Sequence, residues 1–193
     1  MTNGWYEAVS PRTSLTQGDV IFDCPLLAWG PAISAWLGGP EAEFLKAASH
    51  TTRADVVVMT QACDLEHDKL ADVVLCPHLP VSEYRQYWEE EMRARSQNPT
   101  QKAWRNHFGD IREGYLWNLA VLNSGDVDGL VTEHRIVDFH EVFTSPKTFL
   151  EALIVRRGQP RLRLLPPYRE HLSQAFARFF MRVGLPVEVE PLG

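Results

Sequence analysis

VVVMTQACDLEHDKLADVVLCP, residues 56–77, runs from a solid apolar segment into a dense polar cluster and back into an apolar one. Val56, Val57, Val58 and Met59 form a largely β-branched run bounded by polar residues, the pattern of a buried strand. ADVVLCP repeats that character after Leu70. The pair predicts an antiparallel hairpin, Asp55–Gln61 against Ala71–Cys76, turning near Glu66–His67 and setting Cys76 opposite about residue 57.

Outward from the hairpin, strands alternate with inserted helices. GDVIFDC predicts a strand of about six residues starting at Gly18, and PLLAWGPAISAWLGGP, broken by Gly and Pro, predicts a loop packed on the core. Pro40 and Glu41 open a short helix, EAEFLKAAS. Ser82 is positioned to cap SEYRQYWEEEMRAR, where Val81, Tyr84, Trp88 and Met92 share one face and Glu89–Arg93 and Glu91–Arg95 are i,i+4 pairs. TQKAWRNHF can add another short helix, and GYLWNLAVLN and EHRIVDFHEVF read as strands. Ser145-Pro146 caps KTFLEAL, and RLRLL returns as a strand. Pro166 and Pro167 introduce YREHLSQAFARFFMRV, whose Tyr168, Leu172, Phe176 and Phe179 belong to one apolar stripe ended by Gly184 and Pro186. Strands dominate the middle without βαβ alternation, an α+β pattern with short antiparallel strands.

At 193 residues the chain fits a single domain, and its 45% hydrophobic and 23% charged content is that of a globular protein. No apolar stretch approaches the roughly 20 residues of a membrane span, and the N-terminus lacks a signal-peptide layout, so no membrane partner is expected. Cys24, Cys63 and Cys76 are too few for a disulfide framework and read as reduced thiols of a cytoplasmic protein. The net charge of −6 is uneven: between Ile154 and Val183, seven arginines stand against Glu170, a local +6 that leaves −12 elsewhere. Arg156, Arg157, Arg178 and Arg182 in that segment are candidate contacts to an anionic partner, nucleic acid included. They can equally pair with the protein's own acidic half.

Phosphate-loop, dinucleotide, nucleophile-elbow and CxxC signatures are absent, no cofactor is implied, and His140-Glu141 fails as a zincin motif because Thr144 stands where the second histidine belongs. Cys63, His67, Cys76 and His78 resemble a soft zinc set. The hairpin register, however, spaces Cys63 and Cys76 about six strand residues apart, roughly 20 Å, so no metal is assigned. Gln61, Cys63, Asp64 and His67 make a local polar site instead. Its acids oppose a thiolate at Cys63 and suit a carboxylate base, a cation-binding loop or a turn-capping Asp64. In RIVDFHEVF, strand alternation places Asp138 and His140 on one face, either an acid–base pair or a satisfied polar pair.

GDVIF, RADVVVMT and ADVVLCP together resemble the opening of the PemK/MazF-type toxins, an SH3-like barrel that opens GD-[IV] and continues R-P-x-V-V-[LI]-[ST]. The resemblance spans residues 18–77. It implies RNA cleavage with Arg53 and Thr60 in the catalytic positions, although Ala54 replaces the proline and the polar cluster after Thr60 has no counterpart. TQACDL, HRIVDFHEVF and the ending RLRLLPPYREHLSQAFARFFMRVGLP resemble an uncharacterised bacterial family with an S/T-Q-x-C-D-[LI] motif, which implies a bacterial origin and Gln61, Cys63 and Asp64 acting as a unit.

The expected architecture is α+β, a small bent antiparallel sheet or SH3-like barrel over about residues 18–165. Helical segment 82–108 is inserted, and an amphipathic C-terminal helix covers 167–183. The expected function is a bacterial regulatory or interaction module with a protein partner, centred on Gln61–Asp68. The alternatives are a toxin-like endoribonuclease using Arg53, Thr60 and His67 or His140, and a thiol- or metal-dependent enzyme at Cys63.

Overall fold

The computed structural model describes residues 4–30 and 40–181. β1 (Tyr6–Val9) and β2 (Val20–Trp29) precede α1 (Glu41–Ala48), which runs directly into β3 (Ser49–Val58). α2 (Ala62–Glu66) leads to β4 (Asp72–Pro80), followed by α3 (Val81–Ala94) and α4 (Gln101–Arg112). Four short strands come next: β5 (Leu119–Leu122), β6 (Gly125–Val127), β7 (Leu130–Thr132) and β8 (Arg135–Asp138). β9 (Phe143–Pro146), α5 (Lys147–Arg157), β10 (Arg161–Leu164) and α6 (Tyr168–Phe180) complete the described chain.

The fold is α+β, and every strand pair among the described residues is antiparallel. The hairpin of β3 and β4 forms in the expected register, with Val57 opposite Cys76. The Met59 N–H donates to the Val74 carbonyl at 2.9 Å. The main sheet runs β2-β3-β4-β8-β5, with β9 on the other half of β4. β1 pairs with β10, and a bridge between Asp19 and Arg163 joins that ribbon to the start of β2.

Both faces of the central hairpin are covered, which explains its unbroken apolar run. Val57, Cys76, Val137 and Leu162 share one core with Tyr6 and with Leu172 of α6. Val56, Val58 and Leu75 face the other way, onto Leu65 of α2 and Leu150 and Ile154 of α5. A third cluster packs Ile111 of α4 against Leu119 and Ile136. The ladders do not close among the described residues; between β1 and the end of β5 stands a side-chain bond, Tyr6 Oη donating to the Asn123 carbonyl at 2.8 Å. Gly18 sits where the β10 ribbon crosses, at φ 83°, and a Cβ there would lie 3.0 Å from that of Leu164.

Several local expectations are corrected. β2 continues through Pro25 to Trp29 where a core-packed loop is expected, and the remainder of that stretch, residues 31–39, lies outside the described residues. The register shifts between Ile21 and Cys24, Asp23 adopts φ 49°, and beyond that bulge β2 is an edge strand, where proline's missing N–H is tolerated. EHRIVDFHEVF is two strands, since β4 pairs with β8 through His78–Pro80 and with β9 through Asp72–Leu75, and the chain between them bends at Phe139 and His140. The turn near Glu66 contains the five-residue α2. Ser82 does not cap α3, whose N-cap is Pro80; its hydroxyl donates to Glu133 at 3.2 Å instead. Pro146 likewise occupies the N-cap of α5, while Ser145 belongs to β9. The ion pairs Glu89–Arg93 and Glu91–Arg95 form as expected, at 2.9 and 2.5 Å. The predicted end of the C-terminal helix, including Arg182 and Val183, lies outside the described residues.

Candidate functional site

The ladder of β3 ends in a side chain. Thr60 is buried, and its Oγ1 accepts the Val74 N–H at 2.7 Å, replacing the next backbone bond. The chain then leaves the sheet and turns into α2. Lys147, at the start of α5, donates to the Leu65 carbonyl at 2.8 Å and pairs with Asp68, closing the far end of α2. The hydrogen bond from Lys147 holds the Asp68 carboxyl below its usual range. Asp64 pairs with Lys69 at 3.3 Å.

This scaffold presents Gln61 and Cys63 outward. The Cys63 sulfur is exposed and lies 3.8 Å from both Gln61 Oε1 and Asp64 Oδ1; since these oxygens are acceptors, the thiol donates there. Across from them stands α6. Gln17, buried in the loop before β2, fastens the two sides: its Nε2 donates to the Met59 carbonyl at 3.1 Å and to Ser173 Oγ at 3.2 Å. A depression of about 370 Å³ lies between, lined by Gln17, Gln61, Cys63, Glu170, Ser173 and Gln174. The hydrogen bond from Arg169 lowers the Glu170 carboxyl, while Glu170 Oε2 is buried without a partner among the described residues.

Gln61 and Cys63 therefore share a site, whereas exposed His67 ends α2 outside the lining of the depression. Glu170, Ser173 and Gln174 were legible as an i, i+3, i+4 polar face on the C-terminal helix, but reading that helix for its apolar stripe passes over them. Gln17 carried no signal, because its role depends on a fold that brings the loop to residue 59.

The remaining candidates are dispersed. Arg53 pairs with exposed Asp23 on the outer half of β3, seven residues before Thr60, or roughly 20 Å along an extended chain. Asp138 and His140 do meet, at 3.2 Å between Nδ1 and Oδ1, but through a turn and not through strand alternation. Asp138 Oδ1 also accepts the His140 N–H at 2.9 Å, and the His140 ring stands edge-on to Phe179. In the basic segment, Arg157 donates to the Phe22 carbonyl at 2.6 Å, Arg161 and Arg163 both bind buried Asp19, and Arg169 binds Glu170. Much of its charge is thus matched within the protein. Arg156 is exposed, and Arg178 lies over the Trp117 ring at 4.5 Å.

The soft-ligand residues are likewise apart. Cys76 is buried in the core, and burial pushes its thiol up to about 12. His78 is held by Arg135, whose Nε donates to His78 Nδ1 at 2.6 Å; the same guanidinium pairs with Asp55 and lies over the Phe22 ring. His78 is 1% exposed, and burial beside that cation pulls it down to about 3. No group of three or more His, Cys, Asp or Glu side chains among the described residues could hold a metal ion. No helix among them is long and apolar enough to cross a membrane.

Comparisons of the chain with protein-family models, curated proteins and solved structures give no match.

Proposed function

We propose that the protein is a bacterial cytoplasmic interaction module that binds a partner protein at the depression between Gln61–Cys63 and α6. One observation carries this reading: the loop before β2, the end of β3 with α2, and α6 converge on a single polar depression. Its amide, hydroxyl, thiol and carboxylate groups are donors and acceptors suited to recognition. In this reading the frame is an SH3-like barrel left open, β10 and β2 bridging on one side and Tyr6 reaching Asn123 on the other.

The endoribonuclease reading finds less support. Arg53 on β3 stands seven residues before Thr60, which lies past the strand's end, Thr60 Oγ1 is engaged by a backbone N–H, and four arginines of the basic segment already have partners within the chain. An enzyme built on Cys63 has its sulfur beside two acceptors.

Cys63 is the exposed one of three cysteines, so a thiol-directed photo-cross-linker can be placed there alone. In bacterial extract it is expected to give one discrete protein adduct, lost in a Ser173→Trp variant. A probe on Lys102→Cys in a Cys63→Ser background should not give it. Salt-dependent RNA binding, with cleavage abolished by Arg53→Ala, would overturn the proposal.

A further inference from the structure

β5 ends the order of the main sheet, and among the described residues no strand runs along its outer edge. The orientation of its backbone follows from one bond: the Asn118 carbonyl accepts the Phe139 N–H at 2.8 Å, one step before Leu119 faces Asp138. Hydrogen-bonded pairs alternate along an antiparallel ladder. Ala120 and Leu122 therefore turn their backbone groups toward β8, while Leu119, Val121 and Asn123 turn theirs outward. The outward groups at the two ends are used in part, Leu119 N–H by the Leu116 carbonyl and the Asn123 carbonyl by Tyr6 Oη. Between them, the N–H and C=O of Val121 have no partner among the described residues.

A groove of about 520 Å³ opens along this edge between α4 and α6. Ile111, Val121, Leu172 and Ala175 contribute apolar surface, and Trp5, stacked on Tyr168 at 4.1 Å, adds an aromatic wall. Arg112, paired with Glu113 at 2.9 Å, His134 and His171 also line it, and each has ring or guanidinium N–H groups that can donate to a carboxylate. An outward donor and acceptor beside an apolar groove match an extended chain, which supplies backbone bonds and alternate side chains together.

We infer that the groove receives an extended segment of a partner protein as an added strand on β5, with apolar side chains inward and acidic residues against Arg112, His134 and His171. The inference does not rest on the Gln61–Cys63 depression, which lies on a different set of α6 residues.

The probe is the blocked peptide acetyl-Glu-Val-Glu-Val-Glu-amide, titrated into the isotope-labelled full chain and followed by amide resonances and hydrogen exchange. The expected result is saturable binding that slows Val121 exchange about tenfold. N-methylating the bonding amide of the peptide should weaken binding about tenfold, the effect of one lost hydrogen bond. Val121→Pro should do the same without disturbing β8, since the deleted N–H points outward. Arg112→Glu, a surface change independent of strand geometry, should reverse the preference for the Glu peptide over its Lys counterpart. Three results would overturn the inference: no saturable binding, equal binding of the N-methylated peptides, or shifts centred on Gln61–Asp68. The second would mark a pocket for apolar small molecules, and the third would leave only the depression.

Discussion

At the scale of single residues, polar side chains in the core complete the backbone. Thr60 accepts an N–H that the ladder would otherwise leave unpaired. Thr60→Val is expected to cost about 1–3 kcal/mol, the penalty of a stranded buried donor, while Thr60→Ser should restore most of it. Urea denaturation of the two variants measures the difference. Asp19 is the stronger case, since Arg161 and Arg163 both point at its buried carboxylate. Asp19→Ala strands two guanidinium groups and should cost about 3–5 kcal/mol, seen as a large drop in the urea midpoint. Neither role was legible in the sequence. Thr60 stands in the sequence only as a catalytic position that the toxin resemblance implies, and Asp19 only as part of the strand starting at Gly18; both roles depend on groups distant in the chain. The Asp138–His140 pair was legible, but for the wrong reason: alternation predicts contact through the strand face, and the bend between β8 and β9 makes it through a turn instead.

Among elements, the long apolar runs were the most legible. Val56–Val58 paired with Leu75–Pro77 in the expected register because β-branched residues buried on both sides leave few alternatives, while Asp72–Val74 went to β9 instead. Short strands escaped. β1 spans four residues and β6 and β7 three each, too few for periodicity to register. The hairpin of β6 and β7 did leave a local signal, Asp128-Gly129, both at positive φ in its turn. Polar α2 was hidden inside a connection because five residues cannot show helical spacing. Its stability comes from outside, through Lys147. Lys147→Met is therefore expected to raise amide exchange of Ala62–Asp68 about tenfold or more while the β3–β4 amides stay protected. Equal acceleration in β4 would mean that the lysine supports the whole fold instead.

The whole molecule responds to acid through the linked residues of three strands. Asp55 on β3, Arg135 on β8 and His78 on β4 form one cluster, and Arg135 requires His78 Nδ1 to be an acceptor. His78 is therefore neutral when folded, with its pKa depressed to about 3 from an ordinary 6.5. The unfolded chain binds the proton first, so stability from this site is intact above about pH 6.5 and falls as pH drops toward 3, by at most about 1.4 kcal/mol per pH unit. Denaturation midpoints between pH 7 and 4 should show that slope, and His78→Gln should flatten it. An unchanged slope in the variant would assign acid sensitivity to other groups. The sequence offers His78 only as a member of a soft-ligand set that the hairpin spacing already argues against. Its actual partner, Arg135, becomes adjacent only when β4 and β8 pair.

The pairing of β1 with β10 brings Tyr6 opposite Leu164, across nearly the whole described chain. During synthesis at about 5–20 residues per second, the first strand would wait on the order of ten to thirty seconds for its partner to be made. Until then its edge is unpaired, and the core that Tyr6 shares with Leu162 and Leu172 lacks a wall. Such a topology folds slowly, because the longest loop must close before its contacts repay the lost entropy. Nascent chains of this protein are thus exposed at β1 until β10 is made, and a chaperone that shields that strand would act on the step that joins the two.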